Sequence, residues 1–301
     1  MDGPDFLRIC VLLVAAAAVS PMADAQTTTV PPPSAATNAA PAVARPAGPS
    51  LRVLLLGDST TAGTYPRLVA PQADHLADVV RKLLAAEPDL PPAEVINRAV
   101  DGATVKTFLE NYDAWIGQLP GPCDYIFLRF GITDVRSLTN FPTEFPPLYH
   151  QLLERLRKDH PQALLTLETA IPYKSGELIV KANEVIRKIA ETEKLPLVDI
   201  YSRFAKELEL QGANSLTYRY VAWEDIPAGK RSLVPKAWKA PDGKYVIILD
   251  NTLDAHFREV SRWFADRHPN LAGYHVIGDE LAKYLIPAIR SRLHEPSPPA
   301  E

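Results

Sequence analysis

Short apolar runs alternate with amphipathic segments through the middle of the chain. The segments between the runs place apolar residues at helical spacing, as Leu76, Val79 and Val80 do. Strands that are apolar on both faces and alternate with amphipathic helices are typical of a parallel sheet covered on both sides. The pattern therefore predicts an α/β domain over residues 51–294. Its five predicted strands are Leu51–Leu56, Val95–Asn97, Tyr125–Phe130, Leu164–Ile171 and Leu197–Tyr201.

One segment, residues 213–251, breaks this alternation. It is rich in Tyr, Trp, Pro and Lys, and a turn at Ala240-Pro241-Asp242-Gly243 precedes a strand-like run over Tyr245–Leu249. We interpret it as an insertion into the domain. Four of its aromatic residues could either pack the insertion onto the domain or stack on sugar rings, namely Tyr218, Tyr220, Trp223 and Trp238.

The two ends of the chain have a different composition from its middle. Residues 9–19 form an apolar run too short to span a bilayer as a helix, and Ala23-Asp24-Ala25 matches a signal peptidase site. We expect residues 1–25 to be a signal peptide, 26–50 a disordered Pro/Ala/Thr-rich linker and 295–301 a disordered tail. The expected protein is exported, periplasmic or extracellular, without stable membrane insertion after cleavage.

Charge and motifs exclude several classes of partner. The 301 residues carry a formal charge of −4, so there is no basic surplus for nucleic-acid binding. Neither a P-loop nor a Gly-x-Gly-x-x-Gly motif is present, and we expect no cofactor. Two Asp-x-His pairs, at Asp254 and Asp266, could supply metal ligands, but a dinuclear site needs further clusters after the early strands, and the sequence lacks them.

Residues that could take part in catalysis directly follow the predicted strands. Parallel sheets bind ligands there, beyond the carboxyl ends of the strands. Ser59 follows the first strand and could act as a nucleophile if a base such as His268 took its proton. A serine at a strand-to-helix turn also directs backbone N–H groups toward a developing oxyanion, and Gly102 permits close backbone approach. The amides of Ser59 and Gly102 are thus candidate oxyanion donors. Taken singly, these residues could equally be a helix cap, a loop histidine and a turn glycine.

The set of motifs resembles the SGNH, or GDSL, hydrolase superfamily. The resemblance rests on four blocks in family order, and it implies a flavodoxin-like three-layer sandwich with a parallel five-stranded sheet. It also implies ester hydrolysis without a metal. The blocks are Gly57-Asp58-Ser59, Asn97 to Gly102, Gly131-Ile132-Thr133-Asp134 and Asp266 to Asn270.

The chain departs from the family pattern at two positions. Thr133 stands where the family usually has an Asn that serves as a third oxyanion donor, and Ala265 stands where the partner of the histidine usually lies. A hydroxyl can donate, so Thr133 is retained as a candidate. Residues two apart in extended backbone point to the same side, which makes Asp266 the predicted partner of His268, with Asp254 as the rival.

These observations predict a serine esterase that uses Ser59, His268 and Asp266 and forms an acyl-enzyme. The expected substrate is a small-molecule or glycan ester with a short acyl group, such as an O-acetylated carbohydrate. Lysophospholipids and thioesters are further candidate substrates. The alternative is a catalytically weak or inactive carbohydrate-binding protein of the same fold, which the departures at Thr133 and Ala265 favour.

Overall fold

The computed structural model describes residues 50–119, 121–174 and 176–294. The expected signal peptide, the linker up to residue 49 and the C-terminal tail lie outside the described residues and stay predictions. Within the described ranges, no helix combines the length and the apolarity needed to cross a bilayer.

Five parallel strands form the central sheet in the order β2-β1-β3-β4-β5. This is the flavodoxin-like order, so the predicted fold class is confirmed. The strand order reverses beside β1, and the turns that follow β1, β2 and β3 therefore meet at one edge of the sheet. The strands are β1 Leu51–Gly57, β2 Ala93–Asn97, β3 Tyr125–Arg129, β4 Leu164–Glu168 and β5 Leu197–Val198.

Alternating side chains of the strands build one apolar core on each face of the sheet. Val53 and Leu55 point into the core that contains the last helix, whereas Leu54 and Leu56 point into the opposite core. The helices are α1 Ser59–Ala62, α2 Thr64–Val69, α3 Leu76–Ala85, α4 Val105–Glu110, α5 Tyr112–Trp115, α6 Asp134–Ser137, α7 Phe141–Asp159, α8 Gly176–Glu193, α9 Ile200–Gln211, α10 Asp254–Phe257 and α11 Leu271–His294.

The fifth strand is shorter than predicted because a helix begins inside the expected run. Asp199 caps α9 by accepting a hydrogen bond from the Ser202 amide at 3.2 Å, so Ile200 and Tyr201 are helical. Apolar residues alone could not distinguish the end of a buried strand from the start of a buried helix.

The segment 213–251 contains a separate two-stranded antiparallel sheet. The predicted strand near Tyr245 is present as β7 Tyr245–Ile248, and it pairs with β6 Arg219–Ala222, which was not predicted. Behind this pair lies an apolar cluster that also includes Phe257 and Trp263. The packed unit therefore extends beyond residue 251, the predicted end of the insertion.

Candidate active site

Ser59 is the first residue of α1 and directly follows the turn that ends β1. The preceding residue, Asp58, is buried and caps the helix by accepting bonds from the Thr60 amide at 2.9 Å and the Thr60 hydroxyl at 2.7 Å. Asp58, and not Ser59, is therefore the N-cap residue. Burial raises the pKa of Asp58, while the bonds from Thr60 oppose that rise.

Ser59, His268 and Asp266 form a continuous hydrogen-bonded chain. The Ser59 Oγ lies 2.8 Å from His268 Nε2, and His268 Nδ1 lies 2.7 Å from Asp266 Oδ1. Burial acts to raise the pKa of Asp266, but the hydrogen bond and the charge of His268 hold it below its ordinary value. An ionised Asp266 that accepts from Nδ1–H leaves Nε2 as an acceptor facing the serine hydroxyl.

The rival carboxylate, Asp254, is engaged elsewhere. Its two oxygens accept bonds from Arg219 Nε at 2.8 Å and Nη2 at 2.5 Å, and its Oδ1 also accepts from Trp263 Nε1 at 2.7 Å. Asp254 thus belongs to the packed unit that contains β6 and β7. Of the two carboxylates, the structure brings only Asp266 to the His268 ring.

Two tyrosines that sequence reasoning did not assign to the site contact the His268 ring. The Tyr218 ring stacks on the imidazole, with 5.7 Å between centroids and 6° between planes. The Tyr173 hydroxyl lies 3.4 Å from each imidazole nitrogen. Burial raises the pKa of both phenols, so both stay protonated. Tyr173 follows β4 closely, so its position after a parallel strand could have indicated that it lies near the site.

The backbone around His268 is held by the start of the insertion. The Tyr218 amide donates to the His268 carbonyl at 3.2 Å, and the Asn270 amide donates to the Leu216 carbonyl at 2.9 Å. Asn270 Oδ1 also accepts from the Gly273 amide at 2.9 Å, at the start of α11. The insertion is therefore joined to the loop that presents the imidazole.

A buried ion pair lies beneath the turn that carries Ser59. Arg129 Nη1 lies 3.1 Å from Glu168 Oε2, and both side chains are 1% exposed. The same guanidinium donates to the Thr60 carbonyl at 3.0 Å and to the Thr61 hydroxyl at 3.1 Å. Gly57 permits this packing, because a Cβ there would lie 2.5 Å from the Arg129 carbonyl oxygen. In the sequence, Arg129 and Glu168 are charged residues within otherwise apolar strands, and this pattern could have indicated the buried pair.

Asp134 joins the turn after β3 to the helix after β2. One carboxylate oxygen accepts from the Val105 amide at 2.8 Å, and the other accepts from the Gly131 amide at 3.0 Å. Burial raises the pKa of Asp134 to about 7, against the effect of these hydrogen bonds. The adjacent Thr133 precedes α6 and is half-buried.

A cleft of about 190 Å³ opens beside Ser59 and His268. Asp101 lines this cleft. The two other candidate oxyanion donors, Gly102 and Thr133, are not among the residues that line it. Gly102 is exposed and has a φ of 70°, a conformation that favours glycine. The lining residues are Ser59, Gly63, Thr64, Tyr65, Pro66, Asp101, Tyr218, His268 and Tyr274.

Both Asp-x-His pairs lie within the residues that the structure describes. Across the residues that the structure describes, no group of three or more His, Cys, Asp or Glu side chains is arranged to hold a metal ion. Asp254 is hydrogen-bonded to Arg219 and Trp263, and Asp266 is hydrogen-bonded to His268.

The sequence matches the model of a known family over residues 55–218, which is more than half of the chain. The chain belongs to the GDSL-like Lipase/Acylhydrolase family. This confirms the resemblance drawn from the motifs. The matched range of this GDSL family member includes Ser59, Gly102 and Thr133, while Asp266 and His268 lie beyond it.

Solved structures share the fold of this GDSL family member. One is described as a possible lipase from Chitinophaga pinensis (TM-score 0.52, 16% identity, 79% of this chain and 99% of that one). Another is a catalytic mutant of an acetylxylan esterase from Geobacillus stearothermophilus (TM-score 0.51, 16% identity, 78% and 94%). At this identity the likeness concerns the fold alone. No curated protein sequence matches the chain.

Proposed function

We propose that this GDSL family member is a serine esterase that hydrolyses carboxylic esters through an acyl-enzyme. The observation that carries the proposal is the chain of hydrogen bonds from Ser59 Oγ through the His268 ring to Asp266, at 2.8 and 2.7 Å. Nucleophile, base and orienting carboxylate are the three groups that activation of a serine hydroxyl requires.

In the proposed reaction, Ser59 Oγ attacks the ester carbonyl carbon while His268 Nε2 takes the hydroxyl proton. The Ser59 and Gly102 amides are the proposed donors to the resulting oxyanion, with Thr133 as a third. When the intermediate collapses, the bond to the alcohol oxygen breaks and His268 returns the proton to the leaving alcohol. Water then attacks the acyl-enzyme by the same route, releasing the acid and restoring Ser59.

A short acyl group is the proposed acyl part of the substrate. Ligand pockets for drug-sized molecules measure about 300–1,000 Å³, and the cleft beside Ser59 holds about 190 Å³. An acetyl group fits this space, whereas a long fatty-acyl chain exceeds it. The acetylxylan esterase with the same fold acts, by its name, on a substrate of this kind.

We further propose that residues 1–25 direct export of the protein to the periplasm or the cell exterior. Mass spectrometry of the protein recovered from fractionated cells tests this point. The expected N-terminus is Gln26. Recovery of a chain that retains Met1 from the cytoplasm would contradict it.

Hydrolysis of 4-nitrophenyl acetate by purified protein tests the catalytic proposal. We expect Ser59→Ala and His268→Ala to lower the rate at least about 1,000-fold, and the exposed-serine control Ser291→Ala to keep it. A fluorophosphonate probe should label Ser59 and no serine in the Ser59→Ala protein. Activity that survives Ser59→Ala contradicts the serine mechanism.

A second candidate is a binding protein without esterase activity. The observation that favours it is Thr133 at the position where the family usually has an Asn donor. It predicts that the wild-type protein neither hydrolyses 4-nitrophenyl acetate nor reacts with the fluorophosphonate, while still binding a saccharide ester.

A further inference from the structure

One carboxylate lines the cleft beside Ser59 without a basic side chain to neutralise it. Asp101 borders the cleft, and the described residues that line it include no Lys or Arg. Within the described part of the chain, the charged groups that act on Asp101 are His268 and Asp58. Asp58 is itself a carboxylate, so it adds to the negative potential and does not offset it. The cleft therefore attracts a positively charged ligand group.

The surroundings of the Asp101 carboxylate disfavour its charge. The residue as a whole is open to solvent, but partial burial of the carboxylate raises the pKa of Asp101 above its ordinary value. A hydrogen bond from Thr64 and the charge of His268 oppose that rise without cancelling it. A cation bound beside Asp101 stabilises the ionised form, so the carboxylate and a cationic ligand favour each other.

A buried hydroxyl in the same cleft lacks a hydrogen-bond partner. The Tyr274 side chain lines the cleft although the residue is only 1% exposed, and its hydroxyl bonds to none of the described residues. The hydroxyl lies beside Gly63, where a Cβ would be 3.1 Å from its oxygen. Buried polar groups nearly always have a partner in folded proteins. An unpaired hydroxyl at the wall of a cleft therefore points to a polar group of the ligand.

We propose that the cleft binds the protonated α-amino group of an aminoacyl ester whose ester carbonyl lies at Ser59. This inference rests on the proposed ester hydrolysis and assigns the acyl part of its substrate. The ammonium donates to the Asp101 carboxylate and to the Tyr274 hydroxyl oxygen. Water adds across the ester by the acyl-enzyme route, so the products are a free amino acid and an alcohol.

The hydrogen-bonding groups of the cleft favour an ammonium over other acyl substituents. An ammonium has N–H donors and no acceptor, while an ionised carboxylate only accepts and a hydroxyl can accept. A second carboxylate on the acyl group would be repelled by Asp101. A plain acetyl group would leave Tyr274 unpaired and the charge of Asp101 uncompensated. A glycyl or alanyl group is only slightly larger than acetyl and so suits a cleft of about 190 Å³.

Two esters of the same shape and different charge test the site. Alanine methyl ester carries an ammonium where methyl isobutyrate carries a methyl group, and at about pH 6.5 the amino group is protonated. The measured quantity is kcat/KM for the first ester divided by kcat/KM for the second, so effects of a variant on the shared chemistry cancel. We expect Asp101→Asn to lower this ratio roughly 10-fold, mainly through KM for the cationic ester. Tyr274→Phe should lower it roughly 3-fold.

A matched control removes one negative charge outside the cleft. Glu110→Gln does so at an exposed position on α4 and should keep the ratio. An unchanged ratio in Asp101→Asn overturns the site, and an unchanged ratio in Tyr274→Phe overturns the part assigned to its hydroxyl. A larger effect of Asp101→Asn on acetylcholine than on alanine methyl ester also overturns the proposal, because it places the cation in the alcohol part.

Binding without turnover separates this proposal from the esterase proposal. Ligand-observed NMR titration of Ser59→Ala protein with alanine methyl ester should show binding that Asp101→Asn weakens by the same roughly 10-fold. If the wild type hydrolyses no ester but this binding depends on Asp101, the esterase proposal fails and the ammonium site stands. Absence of binding, or binding that ignores Asp101, refutes the ammonium site even where the wild type hydrolyses methyl isobutyrate.

Discussion

Asp266 binds His268 twice, through the backbone and through the ring. Its Oδ1 accepts from the His268 amide at 2.9 Å and lies 2.7 Å from Nδ1 of the same residue. The first bond fixes the carboxylate within a tight local turn, and this brings it to a ring only two residues away. Ala265, three residues before His268, has no polar side chain and cannot itself hold the ring.

Replacing Asp266 by Asn should therefore impair catalysis more than folding. An amide at this position no longer stabilises the imidazolium and favours the wrong tautomer, so we expect kcat on 4-nitrophenyl acetate to fall roughly 1,000- to 10,000-fold. The comparison variant is Asp254→Asn, which should lower the melting temperature while keeping kcat within a few fold. The reverse pattern would make Asp254 the orienting residue.

The rate should fall toward mildly acidic pH. The pKa of Asp266 is held below its ordinary value by His268, so Asp266 stays ionised through this range. A base that already carries a proton cannot accept the one on Ser59, so the rate falls where the base is protonated. Measurement of kcat/KM between pH 5 and 8 checks this, and a flat profile argues against His268 as the base.

Arg129 should support both stability and the geometry of the Ser59 turn. Arg129→Met leaves Glu168 without its ion-pair partner, and breaking such a buried pair costs about 3–5 kcal/mol of unfolding free energy. The double variant Arg129→Met with Glu168→Leu should recover much of that stability. It should not recover the rate of fluorophosphonate labelling, because the bonds to Thr60 and Thr61 stay lost. Full recovery of labelling would limit the pair to a structural role.

Asp134 should make stability depend on pH. Burial raises its pKa to about 7 in the folded chain, above the ordinary value of 3.8. Between pH 3.8 and 7 the folded chain therefore binds one more proton at Asp134 than the unfolded chain does. Its contribution to stability is therefore present at low pH and is lost as the pH rises toward 7. Urea unfolding should show that the stability advantage of wild type over Asp134→Asn is roughly 2 kcal/mol larger at pH 5 than at pH 8. An advantage that is equal at both pH values contradicts the raised pKa.

Substitution of Thr133 tests its proposed role as a third oxyanion donor. Thr133→Val keeps the shape but removes the hydroxyl, so a donating hydroxyl predicts a fall in kcat of up to roughly 100-fold with little change in KM. Thr133→Ser keeps the hydroxyl and should retain most of the rate. Equal kcat values for the valine variant and the wild type would leave the two backbone amides as the proposed donors.

The sequence by itself determined the α/β architecture and identified Ser59 and His268, the two residues that meet at one edge of the sheet. Apolar strands and amphipathic helices have their own periodicities, and parallel strands bring the residues after them to one edge. Ser59 follows β1, and His268 precedes α11, so both could be located from local pattern alone. The strand end at Asp199 could not, because an apolar run suits either a strand or a helix.

Only the tertiary structure decided which groups support these two residues. Which carboxylate contacts His268 depends on tertiary packing, because Arg219 binds Asp254 and leaves Asp266 beside the ring. The contacts of Tyr173 and Tyr218 with His268, and of Arg129 with the Ser59 turn, join segments far apart in the chain. Such contacts leave no periodic signal, because they arise from distances between packed elements and not from the order of residues within one.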